Sequence, residues 1–285
     1  MIPSAKNLRY LGLLVYVFLL FAAGCARETE TSGGSASKPT PKGAKAALMV
    51  FAGAANKPPL TEAIQAFEKK SNCKVEVTFA GSGTLLTQIT TEKVGDVYIP
   101  GSDDFMQKAK EKGAIDVPSE RLVAWLVPTI NVAKDNPKGI RGLEDLAKPG
   151  VKVCIADAKA VCLGAVAEEI LSEAGLLNAV KKNVVTYALS CEEVENRVET
   201  GEVDAAIGWN VFEHWAPDKI ENVTIPENLA GRRYISAAVV AFSKDKQLAQ
   251  QFVDFVGSDE GHSVYSEKGY TVPVAGEESP ATLGK

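Results

Sequence analysis

From Ala46 onward the chain alternates short apolar runs with amphipathic stretches, and that alternation constrains its fold more than any other feature. Ala47-Leu-Met-Val-Phe-Ala52 is a continuous apolar run, as expected of a strand buried on both faces. Leu60, Ala63, Ile64 and Phe67 follow at helical spacing within Pro58–Lys70. Lys74–Phe79 alternates as a strand does, and Gly81-Ser82-Gly83 then opens a helix with Leu85, Leu86 and Ile89 on one face. Asp96–Pro100 reads as strand and Asp103–Lys112 as helix. The unit recurs as strand Val151–Ala156, helix Val161–Ala174, strand Val184–Tyr187, helix Cys191–Thr200 and strand Ala205–Gly208. Repeated βα units with buried strands predict an α/β fold with parallel-type sheets and helices on both faces. No Gly-x-Gly-x-x-Gly follows the first strand, so the dinucleotide fingerprint is missing.

Two apolar stretches stand outside the alternation, Leu122–Val132 and Tyr234–Phe242. One βα group precedes the first, another lies between them, and only helices follow the second. A chain that crosses to a second lobe and returns has this order. The expectation is two α/β lobes, each a mixed sheet flanked by helices, joined by two crossover strands around a cleft. The predicted division is lobe 1 over 46–127, lobe 2 over 128–232, and the return crossover with the C-terminal helices of lobe 1 over 233–285.

The N-terminus has a different character. Lys6 and Arg9 precede the apolar run Leu11–Phe21, and Ala22-Ala23-Gly24 leads into Cys25. A basic segment, a short apolar core and small residues before a cleavage point predict a secretory signal peptide over 1–24. The apolar run is short for a membrane span, which needs about 20 residues. Cys25 after Ala-Ala-Gly resembles a bacterial lipobox, with Ala22 where leucine is more usual, which implies cleavage before Cys25 and lipidation of its thiol. Residues 25–45 carry no large apolar side chain beyond that point and read as a flexible tether. The expected location is the periplasm or the outer face of the cell membrane, with the lipid as the only membrane attachment.

Charge excludes one class of partner. The chain has 31 basic and 36 acidic side chains, a net charge of -5. Removing Lys6 and Arg9 with the signal peptide takes two from the 31, leaving 29 against 36 and a charge near -7. Nucleic-acid binding would call for a basic footprint. With only His214 and His262, a histidine-rich metal cage is not available either.

Gly81-Ser82-Gly83-Thr84 is the most informative local motif, a glycine-flanked hydroxyl between strand and helix. Amides at a helix start and a serine hydroxyl attract an anion without a cationic side chain, and glycines let a ligand approach the backbone. Ser82 equally fits a plain N-cap in a tight turn. A Walker A loop is excluded, because no Gly-Lys-Ser/Thr follows. Asn56, before Lys57-Pro58-Pro59, could simply shape a turn. Glu168 and Glu169 read as a solvated helix face. Trp209, at the end of an apolar strand, could serve core packing or offer its N–H to a ligand. Cys73 and Cys154 read as small buried hydrophobes.

Several of these segments together resemble the molybdate/tungstate-binding proteins of ABC importers. They are Val50–Asn56, Ala66-Phe-Glu-Lys-Lys70, Val75-Glu-Val-Thr-Phe-Ala-Gly-Ser-Gly-Thr84 and Gly95-Asp-Val-Tyr-Ile99. Ala174-Gly-Leu176, Gly201–Trp209, Leu248–Phe255 and Gly269-Tyr270 extend the resemblance over nearly all of Ala46 to Val274. The resemblance implies a two-lobed periplasmic-binding-protein fold that closes on a tetrahedral oxyanion, docks on a membrane permease, and needs neither a cofactor nor any metal beyond that of the oxyanion. A monomer is expected.

Carried over residue by residue, the resemblance places Ser82 at the family's second-loop serine, with Gly83 beside it. The first-loop serine falls on Ala55, which keeps only its backbone N–H, with Asn56 adjacent. The family's Pro-Ala-Gly aligns with Cys162-Leu163-Gly164, preserving an amide at Leu163. Cys191 takes the place of another backbone donor, and the family's ligand-contacting tyrosine falls on Trp209. Cys162 and Cys191 thus align at helix starts on the cleft side of lobe 2. They could form a disulfide, stay free thiols, or bind a soft metal together. The two altered contacts keep a second reading open, the same fold binding sulfate, phosphate or a small organic anion. A third class, a secreted hydrolase using Ser82 as nucleophile, needs a positioned base; neither histidine lies in a hydrolase signature, and Gly-x-Ser-x-Gly is absent. The expectation is therefore a binding protein and not an enzyme.

Overall fold

The computed structural model describes residues 47–274. The expected signal peptide (1–24), Cys25, the expected tether (25–45) and residues 275–285 lie outside the described residues. Among the described residues no helix is long and apolar enough to cross a membrane.

The chain enters through β1 (Ala47–Gly53), then α1 (Lys57–Ser71), β2 (Lys74–Ala80), α2 (Ser82–Glu92), β3 (Val97–Ile99), α3 (Asp103–Glu111) and β4 (Arg121–Leu126). Pro58 and Pro59 sit in the first turn of α1, where the missing N–H costs nothing, and Asn72 ends the helix with φ 51°. β1 lies between β2 and β3 and runs parallel to both. Its last four residues, Val50–Gly53, are all buried, while Met49 before them is exposed, so the apolar run marks a strand buried on both faces only over its C-terminal half.

The second lobe comprises β5 (Pro128–Ala133), β6 (Val153–Ala156), α4 (Cys162–Glu173), α5 (Leu177–Val180), β7 (Val184–Ala188), α6 (Cys191–Glu199), β8 (Ala205–Trp209), α7 (Val211–Trp215) and β9 (Ile220–Thr224). Residues 225–232, with the short helix α8 (Glu227–Ala230), lead back to β10 (Arg233–Val239), α9 (Lys246–Val256) and α10 (Asp259–Glu267). The strand orders are β2-β1-β3-β10-β4 in one sheet and β7-β6-β8-β5-β9 in the other. Both sheets are mixed: β10 is antiparallel to β3 and β4, and β5 is antiparallel to β8 and β9. The parallel-type sheets read from the βα repeat account for only part of each.

The two apolar stretches behave differently from continuous crossover strands. Leu122–Val132 does carry the chain across, but it breaks at Val127 into β4 of one sheet and β5 of the other. Val127 N–H donates to Asn210 Oδ1 at 2.9 Å, and Asn210 N–H returns a bond to Val127 O at 2.9 Å. Pro128, having no N–H, stands at the first position of the new strand, where a ladder donor is dispensable. Tyr234–Phe242 instead feeds β10, which stays within the first sheet; the return crossing is made by 225–232 just before it. The last two helices then cover lobe 1. Phe67 of α1 meets Phe252 of α9 edge-on at a 5.0 Å centroid distance, and Asp245 caps α9 through the Leu248 amide at 3.0 Å.

Candidate functional site

Four helical segments begin at the face where the two lobes meet. A single 3₁₀ turn, Ala54–Asn56, leads into α1, while α2 starts at Ser82, α4 at Cys162 and α6 at Cys191. The first amides of a helix have no intrahelical acceptor, so each start offers N–H donors and a positive dipole end. Ala55, Ser82, Cys162, Leu163, Cys191 and Trp209 are all at most 2% exposed.

These residues converge, and Gly101 is the point that shows it. A Cβ built there would lie 2.9 Å from Cys162 Sγ, 3.6 Å from Ala55 Cβ and 3.8 Å from Ser82 Oγ. Cys162 belongs to the second lobe and the other three residues to the first. Ser82 Oγ accepts from Gly101 N–H at 3.0 Å, which leaves the hydroxyl proton free to be donated. Tyr98 Oη donates to Ser82 O at 2.9 Å, and Tyr270 Oη donates to Ala55 O. Both tyrosines are held well above their ordinary pKa by burial first; Cys162 adds to this at Tyr98, and Tyr265 and then Cys191 add to it at Tyr270. They stay neutral donors that fix the backbone of the two loops.

On the other side, the Cys162 side chain first and burial second push the Cys191 thiol well above its usual pKa. The Ala55 backbone and the Trp209 indole act on the same sulfur in the opposite direction. Trp209 is completely buried, and its Nε1 has no hydrogen-bond partner within bonding range. It is held from behind by asparagines. Asn131 Nδ2 donates to Trp209 O at 3.3 Å and to Asn222 Oδ1 at 2.6 Å, and Asn222 Nδ2 donates to Asn210 O at 2.7 Å. Gly208 makes room for this packing, since a Cβ there would fall 1.7 Å from Asn131 Oδ1.

Two residues expected to contact a ligand have other occupations. The Asn56 amide is spent within lobe 1, donating to Gly53 O at 3.2 Å and Ile99 O at 3.3 Å and accepting from Tyr265 Oη at 3.0 Å. It ties the ends of β1 and β3 together. Gly83 N–H donates across the lobe boundary to Ala160 O at 2.9 Å. Ser82 is not a side-chain N-cap, as α2 has no side-chain cap bond and its N-cap is Gly81. Cys162 and Cys191 are both free thiols, as are Cys73 and Cys154. Glu169 pairs with Arg233 at 2.8 Å and Glu168 with Lys181 at 2.8 Å, so neither is a merely solvated carboxylate.

Gly101, Tyr98, Tyr270 and Asn131 are site residues that sequence reasoning missed. Tyr98 lay inside a segment already read as strand, and Asn131 inside a crossover run. A buried asparagine and a tyrosine in otherwise apolar strands are the signals that could have marked them.

Among the described residues no group of three or more His, Cys, Asp or Glu is placed to hold a metal. His214 Nε2 lies 3.3 Å from Glu267 O and His262 Nε2 lies 3.1 Å from Leu122 O, so both rings are engaged away from Ser82. The gathered side chains carry no formal charge. What they can do is surround a compact anion with N–H, O–H and S–H donors and helix ends.

Comparison with known proteins agrees with this geometry. The family model for bacterial extracellular solute-binding proteins matches residues 48–271. The chain is 27% identical to the molybdate-binding protein ModA of Mycobacterium tuberculosis over 93% of this chain and 100% of that one. It is 29% identical to the phosphate-binding protein PstS of Bacillus subtilis, over 94% and 95% of the two chains. The periplasmic molybdate-binding protein of Azotobacter vinelandii has the same fold, with a TM-score of 0.68 at 18% identity, covering 80% of this chain and 100% of that one. Family match, two-lobed fold and a buried donor cluster between the lobes lead to one conclusion: this chain belongs to the bacterial extracellular solute-binding proteins.

Proposed function

We propose that the chain is the lipid-anchored, extracytoplasmic receptor of an ABC importer, and that it captures a tetrahedral oxyanion, molybdate or tungstate, between its lobes for delivery to a permease. The observation that carries this reading is the convergence of four helical starts and only uncharged donors at one buried point spanning both lobes. Such a site meets a dianion with dipoles, so the acidic surface of the chain is no obstacle. Ser82, the amides of Ala55, Leu163 and Cys191, and Trp209 Nε1 are the donors in this reading. Lobe closure follows from a ligand that touches both halves. The relatives named for molybdate support the reading. Lipidation of Cys25 and a tether over 26–45 would hold a monomeric body near the permease, with no cofactor and no catalytic step.

The relative named for phosphate binding favours one alternative, the same cleft holding a different oxyanion. Trp209 and the two thiols argue for the larger anions. A thiol is a weak donor and sulfur a bulky, polarisable atom, poorly matched to a small anion of high charge density. Calorimetric titration of the reduced protein with molybdate, tungstate, sulfate and phosphate tests the assignment. Micromolar or tighter binding of molybdate and tungstate, with weaker or no binding of the other two, is the expected result. Tight phosphate binding would move the assignment to the alternative, and no heat with any of the four would overturn it.

A further inference from the structure

Anion binding by dipoles needs no sulfur, yet two thiols stand at the centre of the site. Cys162 and Cys191 are the first residues of α4 and α6, and both sit against the Ala55–Gly101 face, where the Cys162 side chain is the largest influence on the Cys191 thiol. The other two described cysteines differ. Cys73 Sγ bonds Lys74 O at 3.2 Å and Cys154 Sγ bonds Ile155 O at 3.8 Å, each satisfied by the backbone beside it. Among the described cysteines only Cys162 and Cys191 begin helices at the lobe boundary.

What covers them is the opposite lobe. Cys162 Sγ abuts Gly101, and the Ala55 backbone bears on Cys191; both covering residues lie in lobe 1. The thiols are 1% and 2% exposed in this closed arrangement. Separation of the lobes therefore removes the cover from both sulfurs at once. The chain belongs to an extracellular family, and disulfides are allowed in that setting.

We propose that Cys162 and Cys191 form a redox-sensitive dithiol whose access is governed by ligand occupancy: oxidised to a disulfide when the cleft is open, shielded when an anion holds it closed. The occupancy half of this proposal rests on the function proposed above; the dithiol half does not. The oxidant is a disulfide-class compound, such as oxidised glutathione. One cysteine thiolate attacks a sulfur of the oxidant, breaking its S–S bond and releasing one thiolate. The second cysteine displaces the other half, forming the intramolecular bond. Two cysteine protons pass to the two released thiolates, the pair gives up two electrons, and the oxidant gains them. The product has lost two S–H donors and presents only sulfur lone pairs to the site, so anion affinity falls. By linkage, whatever protects the thiols from oxidation is weakened by their oxidation.

The full-length protein in detergent is incubated with oxidised glutathione, with and without saturating molybdate, and mapped by mass spectrometry. Without molybdate a Cys162–Cys191 linked peptide is expected, with Cys73 and Cys154 remaining unlinked. Molybdate should slow linkage by about tenfold or more, and the oxidised protein should bind molybdate about tenfold more weakly until dithiothreitol restores it. Cys191→Ser and Cys162→Ser, each folded by circular dichroism, should give no linked peptide and lose the redox effect on affinity. Absence of the linked peptide in the ligand-free protein overturns the dithiol. Linkage at equal rates with and without molybdate, in a reduced protein that binds it, overturns the shielding. A reduced protein that forms the link but binds no molybdate upholds the dithiol, removes its control by occupancy and contradicts the function proposed above.

Discussion

In the proposed site Ser82 and Trp209 are the side-chain donors from the two lobes, and each can be removed without disturbing its neighbours' backbone. Ser82→Ala deletes one hydroxyl and leaves the α2 amides in place. Its expected cost is about 1–3 kcal/mol of anion binding, read by calorimetry, since the bond lost is to a charged ligand. Unchanged affinity would remove the hydroxyl from the site. Trp209→Phe keeps an aromatic body in the same pocket but deletes the only N–H of that side chain, which has no protein partner to lose. Binding should weaken by about 1–3 kcal/mol while thermal stability changes little by comparison; a large loss of stability with intact affinity would mark Trp209 as packing alone. At this scale the sequence was informative where a motif stood at a strand–helix junction, as with Ser82, or where the family resemblance fixed a position, as with Cys191 and Trp209. It was silent on Gly101, which belongs to no motif, and it gave no role to Tyr270, although Gly269-Tyr270 is one of the segments of the resemblance; both meet the site only through tertiary packing. Asn56 misled because an amide beside a helix start looks the same in sequence whether it faces a ligand or, as here, backbone and side-chain partners of its own lobe.

The Gly81-Ser82-Gly83 turn illustrates what the elements contribute beyond donors. Gly81 has an ordinary extended backbone, φ -62° and ψ 136°, so nothing in its own conformation demands glycine. The demand comes from the other lobe. A Cβ at Gly81 would lie 2.3 Å from Ala160 O and 3.0 Å from Leu189 O, and one at Gly83 would lie 2.2 Å from Lys159 O. Gly83 even sits inside α2, where alanine would favour the helix by about 1 kcal/mol. The glycines thus allow β2–α2 to press against the loops before α4 and α6. Gly81→Ala should fold with thermal stability close to the parent but fail to close. Small-angle scattering with saturating molybdate should show the extended form, and affinity should drop. Compaction equal to that of the parent would refute this role. Most elements were legible because their strands are buried and their helices two-faced. β9 was not: its residues are mostly half-buried at a sheet edge, giving neither a continuous run nor a clean alternation. The apolar run Leu122–Val132 continues unbroken through Val127, whose hydrogen bonds to Asn210, far along the chain, decide where one sheet ends and the next begins.

At the scale of the whole molecule, the lobes meet through contacts of unequal worth. The Lys57–Glu192 pair at 2.7 Å joins α1 to α6, but both partners are about half exposed, so it adds at most about 1 kcal/mol. A groove of about 560 Å³ runs beside that pair, lined by residues of both lobes including Lys57, Trp215 and Lys268. Glu195 also lines it, only 8% exposed, and its carboxyl is pushed up from 4.5 to about 7 by burial and by the nearby charges of Glu199 and Glu192. A raised carboxyl binds its proton more tightly in the folded chain. Its contribution to stability is therefore full below pH 4.5 and is lost as pH rises through about 7. Glu195→Gln should raise stability by about 1–2 kcal/mol at pH 8 and leave it nearly unchanged at pH 4, as measured by urea unfolding. An equal effect at both pH values would contradict a buried, neutral carboxyl. The two-lobed arrangement itself was legible from the order of βα groups and apolar stretches.

The central claim is that uncharged donors from both lobes enclose a tetrahedral oxyanion. A crystal structure of the reduced protein with tungstate tests it most directly, because the tungsten anomalous signal locates the anion independently of the refined protein. The account predicts one strong peak between the lobes, with oxygens within hydrogen-bond distance of Ser82 Oγ, the amides of Leu163 and Cys191, and Trp209 Nε1. A peak elsewhere on the surface, or a cleft that stays closed on its own thiols under saturating tungstate, would contradict it.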